Sequence, residues 1–207
     1  MQGAFLSGED IHAVTASQVF GVPLSEVTKQ MRSNAKAVNF GIVYGISAWS
    51  LAQDIGVSNA EAKAYMEAYL AKYHGVRDYQ KQIVELAKET GYVSTLYGRR
   101  RALPELKNSN FAVRSFGERV ALNMPIQGTA ADVMKLAMVR VHRRLARELP
   151  EAKLIMQVHD ELIVECPARI KEQVKTILTE EMENVATFRV PLIAEAHDGE
   201  NWLAAKG

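Results

Sequence analysis

The chain has 207 residues, a formal net charge of +1 and a hydrophobic fraction of 48%. This length suits one large domain or two small subdomains, the hydrophobic fraction argues against disorder, and the small net charge means that a nucleic-acid partner must be argued from local patches. Cys166 is the only cysteine, which indicates a reducing compartment, and no apolar run approaches the about 20 residues that span a bilayer, so no membrane partner is expected.

The first half of the chain carries a helical pattern. The helix predicted over residues 59–90 has a start signal, because Ser58 and Glu61 have the spacing of a capping box. Gly91 is a natural end for this helix. Helices are predicted over residues 25–47 and over residues 59–90, the latter with a break near His74.

The second half mixes strands with helices. A hairpin is predicted around Gly98, and a helix from Asn110 is expected to break at Pro125 and Gly128, after which Thr129 would cap a new helix with Asp132 in its first turn. Further strands are predicted at 154–158, 162–165 and 190–196, with a helix at 167–184 between the last two. Many helices with a few clustered strands predict an α+β fold.

One face of the first predicted helix has an unusual composition. At 100° per residue, a core stripe of four residues lies on one side: Met31, Ala35, Val38 and Ile42. Two cations and two aromatic rings share the other side: Arg32, Lys36, Phe40 and Tyr44. One interpretation is a solvated basic face with incidental rings. The other is a nucleoside triphosphate lying along the helix, with the cations on phosphates and a ring stacked on the base.

The segment "LIMQVHDELIVE" (154–165) places adjacent carboxylates, Asp160 and Glu161, between two apolar runs. A solvated strand turn would explain them. A metal phosphohydrolase would need further His and Asp ligands at helical spacing, and the other histidines do not form such a pattern. A carboxylate pair at the edge of a buried sheet is costly unless a cation neutralises it, and Mg²⁺ is bound by few carboxylates together with phosphate oxygens and water. The two sites together suggest phosphoryl transfer.

Five ordered segments resemble the family A DNA polymerases. "RSNAKAVNFGIVYG" (32–45) is similar to their motif B, R-x3-K-x3-F-G-x2-Y-G, and "QVHDE" (157–161) to their motif C. "GEDIHAVTAS", "TLYGRRRALP" and "NMPIQGTAADVMK" resemble the family in the same order. The single-subunit RNA polymerases share part of motif B, but Phe40 and Glu161 favour the DNA enzymes. The resemblance to the C-terminal part of the bacterial enzymes covers nearly the whole chain.

The resemblance implies roles for single residues. Arg32, Lys36 and His12 resemble the residues that hold the triphosphate, and Arg32 and Lys36 also those that stabilise the leaving pyrophosphate. Phe40 resembles the ring beside the incoming sugar and base, and Tyr44 the ring near the templating base. The side chains that resemble DNA-facing residues are Tyr44, Arg119, Asn123, Gln127 and His159. Arg99, Arg100 and Arg101 are either backbone-phosphate contacts or solvated.

The resemblance also implies metal chemistry. Asp160 matches the motif C metal ligand and Glu161 its acidic neighbour, so two Mg²⁺ ions are expected to act on the primer 3′ oxygen and the departing pyrophosphate. The other essential Asp of the family lies in motif A, in a "DYSQIELR"-like segment upstream of the region that matches "GEDIH". No such segment occurs in these 207 residues. The metal site is therefore expected to be incomplete in this chain.

The implied organisation is a mostly helical fingers subdomain at 1–110 and a partial palm with a small antiparallel sheet at 111–207. The expected partners are primer–template DNA, deoxynucleoside triphosphates and an upstream polymerase segment with motif A, with self-association over an exposed sheet edge as a further expectation. The implied location is the bacterial cytoplasm, at the nucleoid. The implied function is DNA-templated DNA synthesis as part of the enzyme. The alternatives are a non-catalytic nucleotide- or DNA-binding remnant and one half of a split polymerase.

Overall fold

The computed structural model describes residues 2–206. Two two-stranded antiparallel sheets lie among helices, which confirms the predicted α+β class. The helices are α1 (Gln2–Leu6), α2 (Ile11–Phe20), α3 (Lys29–Val43), α4 (Ala48–Ile55), α5 (Asn59–Lys72), α6 (His74–Thr90), α7 (Phe111–Glu148), α8 (Lys171–Glu183) and α9 (Trp202–Ala205). The strands are β1 (Tyr92–Ser94), β2 (Arg100–Ala102), β3 (Lys153–Val158) and β4 (Glu161–Glu165). Short 3₁₀ turns occur at Leu24–Glu26, Pro104–Lys107 and Ala168–Ile170.

The chain forms two compact units, Met1–Gly128 and Thr129–Gly207. The first unit holds two apolar clusters. One joins α3, α4 and α5 around Val38, Leu51 and Tyr69, and the other joins α6 and the β1–β2 hairpin to Ala121 of α7. In the second unit, the C-terminal half of α7 packs with α8 and residues of the β3–β4 hairpin.

Local signals for α5 and α6 act as predicted. The Ser58 hydroxyl accepts from Glu61 N at 3.2 Å, and the Glu61 carboxylate accepts from Ser58 N at 2.9 Å, which completes the capping box. The predicted long helix is divided at Tyr73, and α6 ends at Gly91, whose φ of +79° is readily adopted only by glycine.

The first predicted helix is shorter than expected. Residues 25–47 contain the end of a 3₁₀ turn, all of α3 and Ser47, the N-cap of the separate helix α4, because Gly45 takes a φ of +71° between the two helices. A Cβ on Gly45 would lie 2.8 Å from Leu122 Cδ1, so a residue with a side chain would not fit at this turn. Helices α1 and α2 lie before this region, where the periodicity did not point to them.

The predicted break at Pro125 and Gly128 is wrong. Helix α7 runs without interruption from Phe111 to Glu148, and Thr129 lies inside it rather than at its start. Gly128 serves close packing, since a Cβ there would lie 2.7 Å from Thr95 Cγ2. Ala121 and Thr129, on either side of the proline, are both buried, and tertiary context can outweigh local helix propensity. Tertiary packing therefore overrides two strong local breakers.

One further prediction, for the C-terminal part of the chain, is wrong. The hairpin β3–β4 and helix α8 lie where strands and a helix were predicted, but residues 190–196 do not form a strand. This stretch has an irregular backbone, and Ala194 N donates to the Glu183 carboxylate at 3.1 Å instead of to a neighbouring strand. A β-strand needs a neighbouring strand for its backbone hydrogen bonds, and within residues 2–206 no strand lies beside this segment.

Candidate active site

The exposed face of α3 carries the predicted series of two cations and two rings. Thr28 starts the helix, because its hydroxyl accepts a hydrogen bond from Met31 N at 3.1 Å. Val38 and Ile42 are buried in the core, and Met31 is half-buried. The opposite side therefore stays in solvent, and the four predicted side chains are exposed there: Arg32, Lys36, Phe40 and Tyr44.

Arg32 is held by a carboxylate from the preceding helix. Asp10 is the N-cap of α2, where its Oδ1 accepts from His12 N at 2.9 Å and from Ala13 N at 3.2 Å. Its other oxygen, Oδ2, accepts from Arg32 Nε at 2.5 Å. The hydrogen bond from Arg32 is the main reason that the pKa of Asp10 lies below its ordinary value. One carboxylate thus fixes both the start of α2 and the Arg32 side chain.

His12 is oriented by a buried amide. Asn39 Nδ2 lies 3.0 Å from His12 Nδ1, and Asn39 also exchanges hydrogen bonds of 3.2 Å with the buried Thr15 hydroxyl. Since an amide N–H can only donate, this arrangement makes Nδ1 the acceptor and leaves the proton on Nε2. Desolvation by burial lowers the pKa of His12, and the charges of Arg32 and Lys36 lower it further, against the opposing effect of Asp10.

Asp10 and Asn39 were missed from the sequence. Asn39 had a signal, because it lies within the i, i+3, i+4, i+7 series of Ala35, Val38 and Ile42, where a polar side chain is buried and needs a partner. Asp10 had a weaker one, as an acidic residue just before a helix start.

Lys36 differs from Arg32 in its surroundings. It lies one turn further along α3 and is exposed. Across residues 2–206, its ammonium group forms neither an ion pair nor a hydrogen bond with the protein. An unpaired ammonium retains all three donors for an anion.

Phe40 of α3 and Tyr44, the C-cap residue of this helix, line an open cleft. Phe40 and Tyr44 lie nearly parallel, with ring centroids 6.2 Å apart, and the His12 ring lies 5.7 Å from Phe40. The cleft has a volume of about 750 Å³ and is lined by the rings of Phe40 and Tyr44, by Gly45, and by Arg119 from α7. Phe40 is 47% exposed although it is fully apolar, so its ring offers a stacking surface.

The predicted DNA-facing side chains of α7 share a second cleft. Arg119, Asn123 and Gln127 lie one turn apart along the helix and, together with Arg101 of β2, line a space of about 420 Å³. Asn123 Nδ2 also donates to Tyr44 O at 3.4 Å, which links this row to the end of α3. Of the hairpin arginines, Arg100 instead stacks over the Tyr92 ring at 4.6 Å.

The hairpin β3–β4 presents the predicted acidic pair. Val158 pairs with Glu161, so His159 and Asp160 form a two-residue loop. His159 has a φ of +50°, and it is the one non-glycine residue with positive φ among residues 2–206. The first position of such a loop favours glycine when its φ is positive, so the backbone is strained here. Gln157 Nε2 donates to His159 O at 2.6 Å and supports the turn.

The two acids of the hairpin have different environments. Asp160 is exposed at the loop, and its carboxylate pairs with no group in the described part of the chain. Glu161 is half-buried, and both of its oxygens are engaged. Trp202 Nε1 donates to Oε2 at 3.3 Å, and Lys206 Nζ lies 3.7 Å from Oε1. The sequence pattern did not point to either of these partners.

Residues 2–206 contain no cluster of three or more His, Cys, Asp or Glu side chains placed to hold a metal ion. The same residues contain no helix long and apolar enough to cross a membrane.

Comparisons with known proteins identify the class. The family described as DNA polymerase family A matches residues 1–204. The chain belongs to the family A DNA polymerases.

Two similar bacterial proteins are much longer than this chain. The chain is 47% identical over 203 residues to DNA polymerase I of Caldicellulosiruptor bescii and 49% identical over 203 residues to that of Bacillus caldotenax. These matches cover 98% of the chain but 24% and 23% of the relatives, so the chain spans about a quarter of their length. A solved structure, the POL domain of Pol1 from M. smegmatis in complex with DNA primer-template and dNTP, is 43% identical with a TM-score of 0.94, over 100% of this chain and 36% of that one.

Proposed function

We propose that these residues form part of a DNA-directed DNA polymerase that transfers a nucleotidyl group from a deoxynucleoside triphosphate to a DNA primer. The observation that carries the proposal is the exposed face of α3, where Arg32, Lys36 and Phe40 succeed one another along the helix and Tyr44 follows as its C-cap. Residues 1–110 would be the fingers and residues 111–207 a part of the palm. The family membership supports this assignment.

The cationic end of α3 would bind the triphosphate. Lys36 offers a free ammonium, and Arg32 keeps its Nη1 and Nη2 groups for phosphate while Asp10 holds Nε. His12, with its proton on Nε2, would donate a hydrogen bond to the same phosphates. When the pyrophosphate leaves, Arg32 and Lys36 would stabilise its developing charge.

The aromatic end of α3 would hold the nucleoside and the template. Phe40 would pack against the incoming sugar and base, and Tyr44 would lie near the templating base. Arg119, Asn123 and Gln127 would face the primer–template, because these side chains, one cation and two amides, suit backbone and base-edge contacts. His159 would lie near the primer terminus. The M. smegmatis relative was solved with DNA primer-template and dNTP, which supports these partners.

The hairpin acids fit a hard divalent cation. Asp160 offers a free carboxylate at an exposed turn, and Mg²⁺ accepts one or two carboxylates with phosphate oxygens and water completing its shell. When bound, Mg²⁺ would activate the primer 3′ hydroxyl and stabilise charge on the phosphates. Asp160 would be the direct ligand, and Glu161 would add negative charge beside it. Since Glu161 is engaged by Trp202 and Lys206, the remaining ligands would come from a polymerase segment outside these residues, the one with motif A.

Template-directed primer extension tests the proposal. A complete family A polymerase that carries these residues in place of its own would be assayed with Mg²⁺ and single dNTPs. We expect incorporation only of the nucleotide complementary to the template, and a loss of about a thousandfold or more in Asp160→Asn, because several kcal/mol of charge stabilisation would be removed. Glu165→Gln, at the far end of the adjoining strand β4, is the matched control and should stay active. Undiminished extension by Asp160→Asn would refute the assignment.

A further inference from the structure

The C-terminal turn, residues 198–206, is a built element. Asn201 caps α9, its Oδ1 accepting from Ala204 N at 3.0 Å. A Cβ on Gly199 would lie 2.6 Å from Ala205 N, so glycine is needed for the turn to close. Asp198 joins the turn to α8 through ion pairs with Lys171, at 2.8 Å, and with Lys175. These contacts hold the C-terminal turn in place, and Trp202 and Lys206 extend from this turn to the hairpin.

Trp202 and Lys206 meet the hairpin at a single residue. Both oxygens of Glu161 are engaged, one by the indole N–H at 3.3 Å and the other by the ammonium group at 3.7 Å. Lys206 Nζ also lies 5.5 Å from the centre of the Trp202 ring, within the range of a cation–π contact. The three side chains thus form a cluster in which each contacts the other two.

This cluster lies next to a strained loop. Glu161 is the first residue of β4 and follows Asp160 directly, and His159 before them has a φ of +50°. A strained loop keeps one conformation only when its surroundings hold it. The engagement of Glu161 supplies such a restraint from the C-terminal side, and it also neutralises the charge that would repel Asp160.

We propose that Trp202 and Lys206 are positioning residues for nucleotidyl transfer, which hold Glu161 and thereby keep Asp160 in place to bind the metal. This inference rests on the proposed function. It separates the two acids of motif C, because Asp160 acts on the metal directly and Glu161 acts as the anchor of the loop. The last residues of the chain then belong to the catalytic apparatus although they lie outside the five recognised motifs.

The test uses the complete polymerase that carries these residues. Trp202→Phe keeps an aromatic ring but removes the indole N–H, and Lys206→Gln removes the charge. Each should lower kcat roughly tenfold, the scale found for residues that orient a metal ligand, and raise the Mg²⁺ concentration for half-maximal rate, with KM for dNTP changed less than about twofold. Lys206→Arg should restore the rate. The matched controls are Trp49→Phe and Lys63→Gln, exposed residues of the same types, which should leave all three values unchanged.

A double-substitution cycle distinguishes anchoring from a general loss of stability. In a Glu161→Gln background, Lys206→Gln should cause no further loss, because the charge that it contacts is already absent. Equal losses in both backgrounds would overturn the inference, as would Trp202→Phe and Lys206→Gln variants that behave like the controls. Melting temperatures within about 2 °C of the parent would show that the loss does not come from unfolding. If instead Asp160→Asn retains extension, the proposed function itself fails, whatever the C-terminal variants do.

Discussion

The exposed face of α3 and the turn of the β3–β4 hairpin each place two like charges next to each other. On α3 the pair is Arg32 and Lys36, one helical turn apart, and at the hairpin it is Asp160 and Glu161, adjacent in sequence. In both regions one member is paired with an opposite charge, and the other has no partner among residues 2–206. Asp10 holds Arg32 at 2.5 Å, and Lys206 lies 3.7 Å from Glu161.

The two regions differ in how firmly the paired charge is held. Asp10 is fixed by its role as the cap of α2, and the adjacent His12 is tied to the buried Asn39. The partners of Glu161 come from a four-residue helix and from Lys206, the residue that follows it, and their contacts are longer. We infer that the exposed face of α3 is preorganised by contacts within its own unit, whereas the hairpin is held by several weaker contacts.

The largest expected effect concerns the 207-residue polypeptide by itself. It should bind triphosphates weakly through Arg32, Lys36 and His12, yet give no template-directed extension. Among residues 2–206, Asp160 is the one carboxylate of the turn without a partner, which is too few ligands for Mg²⁺. Triphosphate binding would be measured by calorimetry and synthesis by primer extension with Mg²⁺.

An upstream fragment that carries motif A, added separately, should restore extension if the two pieces assemble. Robust extension by the 207-residue polypeptide, abolished in Asp160→Asn, would show that the hairpin needs no outside ligand. The contrast between the two regions would then be lost.

The next effect concerns the free cation of α3. In a complete polymerase, Lys36→Ala should lower kcat/KM for dNTP incorporation by about 100-fold, the typical cost of removing one preorganised donor to a developing charge. Primer–template affinity, measured by fluorescence anisotropy, should change little. Lys63→Ala, which removes an exposed lysine of α5, serves as the control. Unchanged incorporation in Lys36→Ala would show that this face is a solvated basic surface.

A smaller effect separates the two roles of Asp10. Asp10→Asn retains a cap acceptor but loses the charge, so KM for dNTP should rise by no more than about fivefold at constant kcat, as expected for an exposed ion pair. Asp10→Ala should in addition lower stability by about 1 kcal/mol through loss of the cap. Steady-state kinetics and thermal unfolding would be compared for both variants. A lower KM in Asp10→Asn would mean that Asp10 competes with phosphate rather than orienting Arg32.

The smallest effect is a pH dependence at the C-terminal turn. Hydrogen bonds from Lys171 and Lys175 lower the pKa of Asp198 from 3.8 to about 2. Because the folded-state pKa is depressed, its contribution to stability is fully present above the unfolded value and is lost as the pH falls towards about 2. As the pH falls through this acidic range, the melting temperature should therefore decrease less steeply in Asp198→Asn than in the parent. If the melting temperatures of Asp198→Asn and the parent fall equally with pH, these ion pairs do not stabilise the packing of the turn on α8.

Local signals accounted for much of the fold. The capping box at Ser58, the stop at Gly91 and the two hairpins arise from interactions within a few residues, so their pattern is visible in the sequence. The breaks expected at Pro125 and Gly128 failed for the opposite reason. There, packing of Gly128 against Thr95 and burial of Ala121 come from residues distant in sequence, and they outweigh the local preference.

The same division holds for the candidate site. The sequence by itself determined which side chains share the exposed face of α3 and which acids stand at the hairpin, because helical and strand periods follow from backbone geometry alone. Only the tertiary structure decided which of those charges are paired. The contacts of Asp10 with Arg32, of Asn39 with His12 and of Trp202 with Glu161 join residues 22, 27 and 41 positions apart. Pairings over such separations depend on how the elements pack, and periodicity within one element carries no information about them.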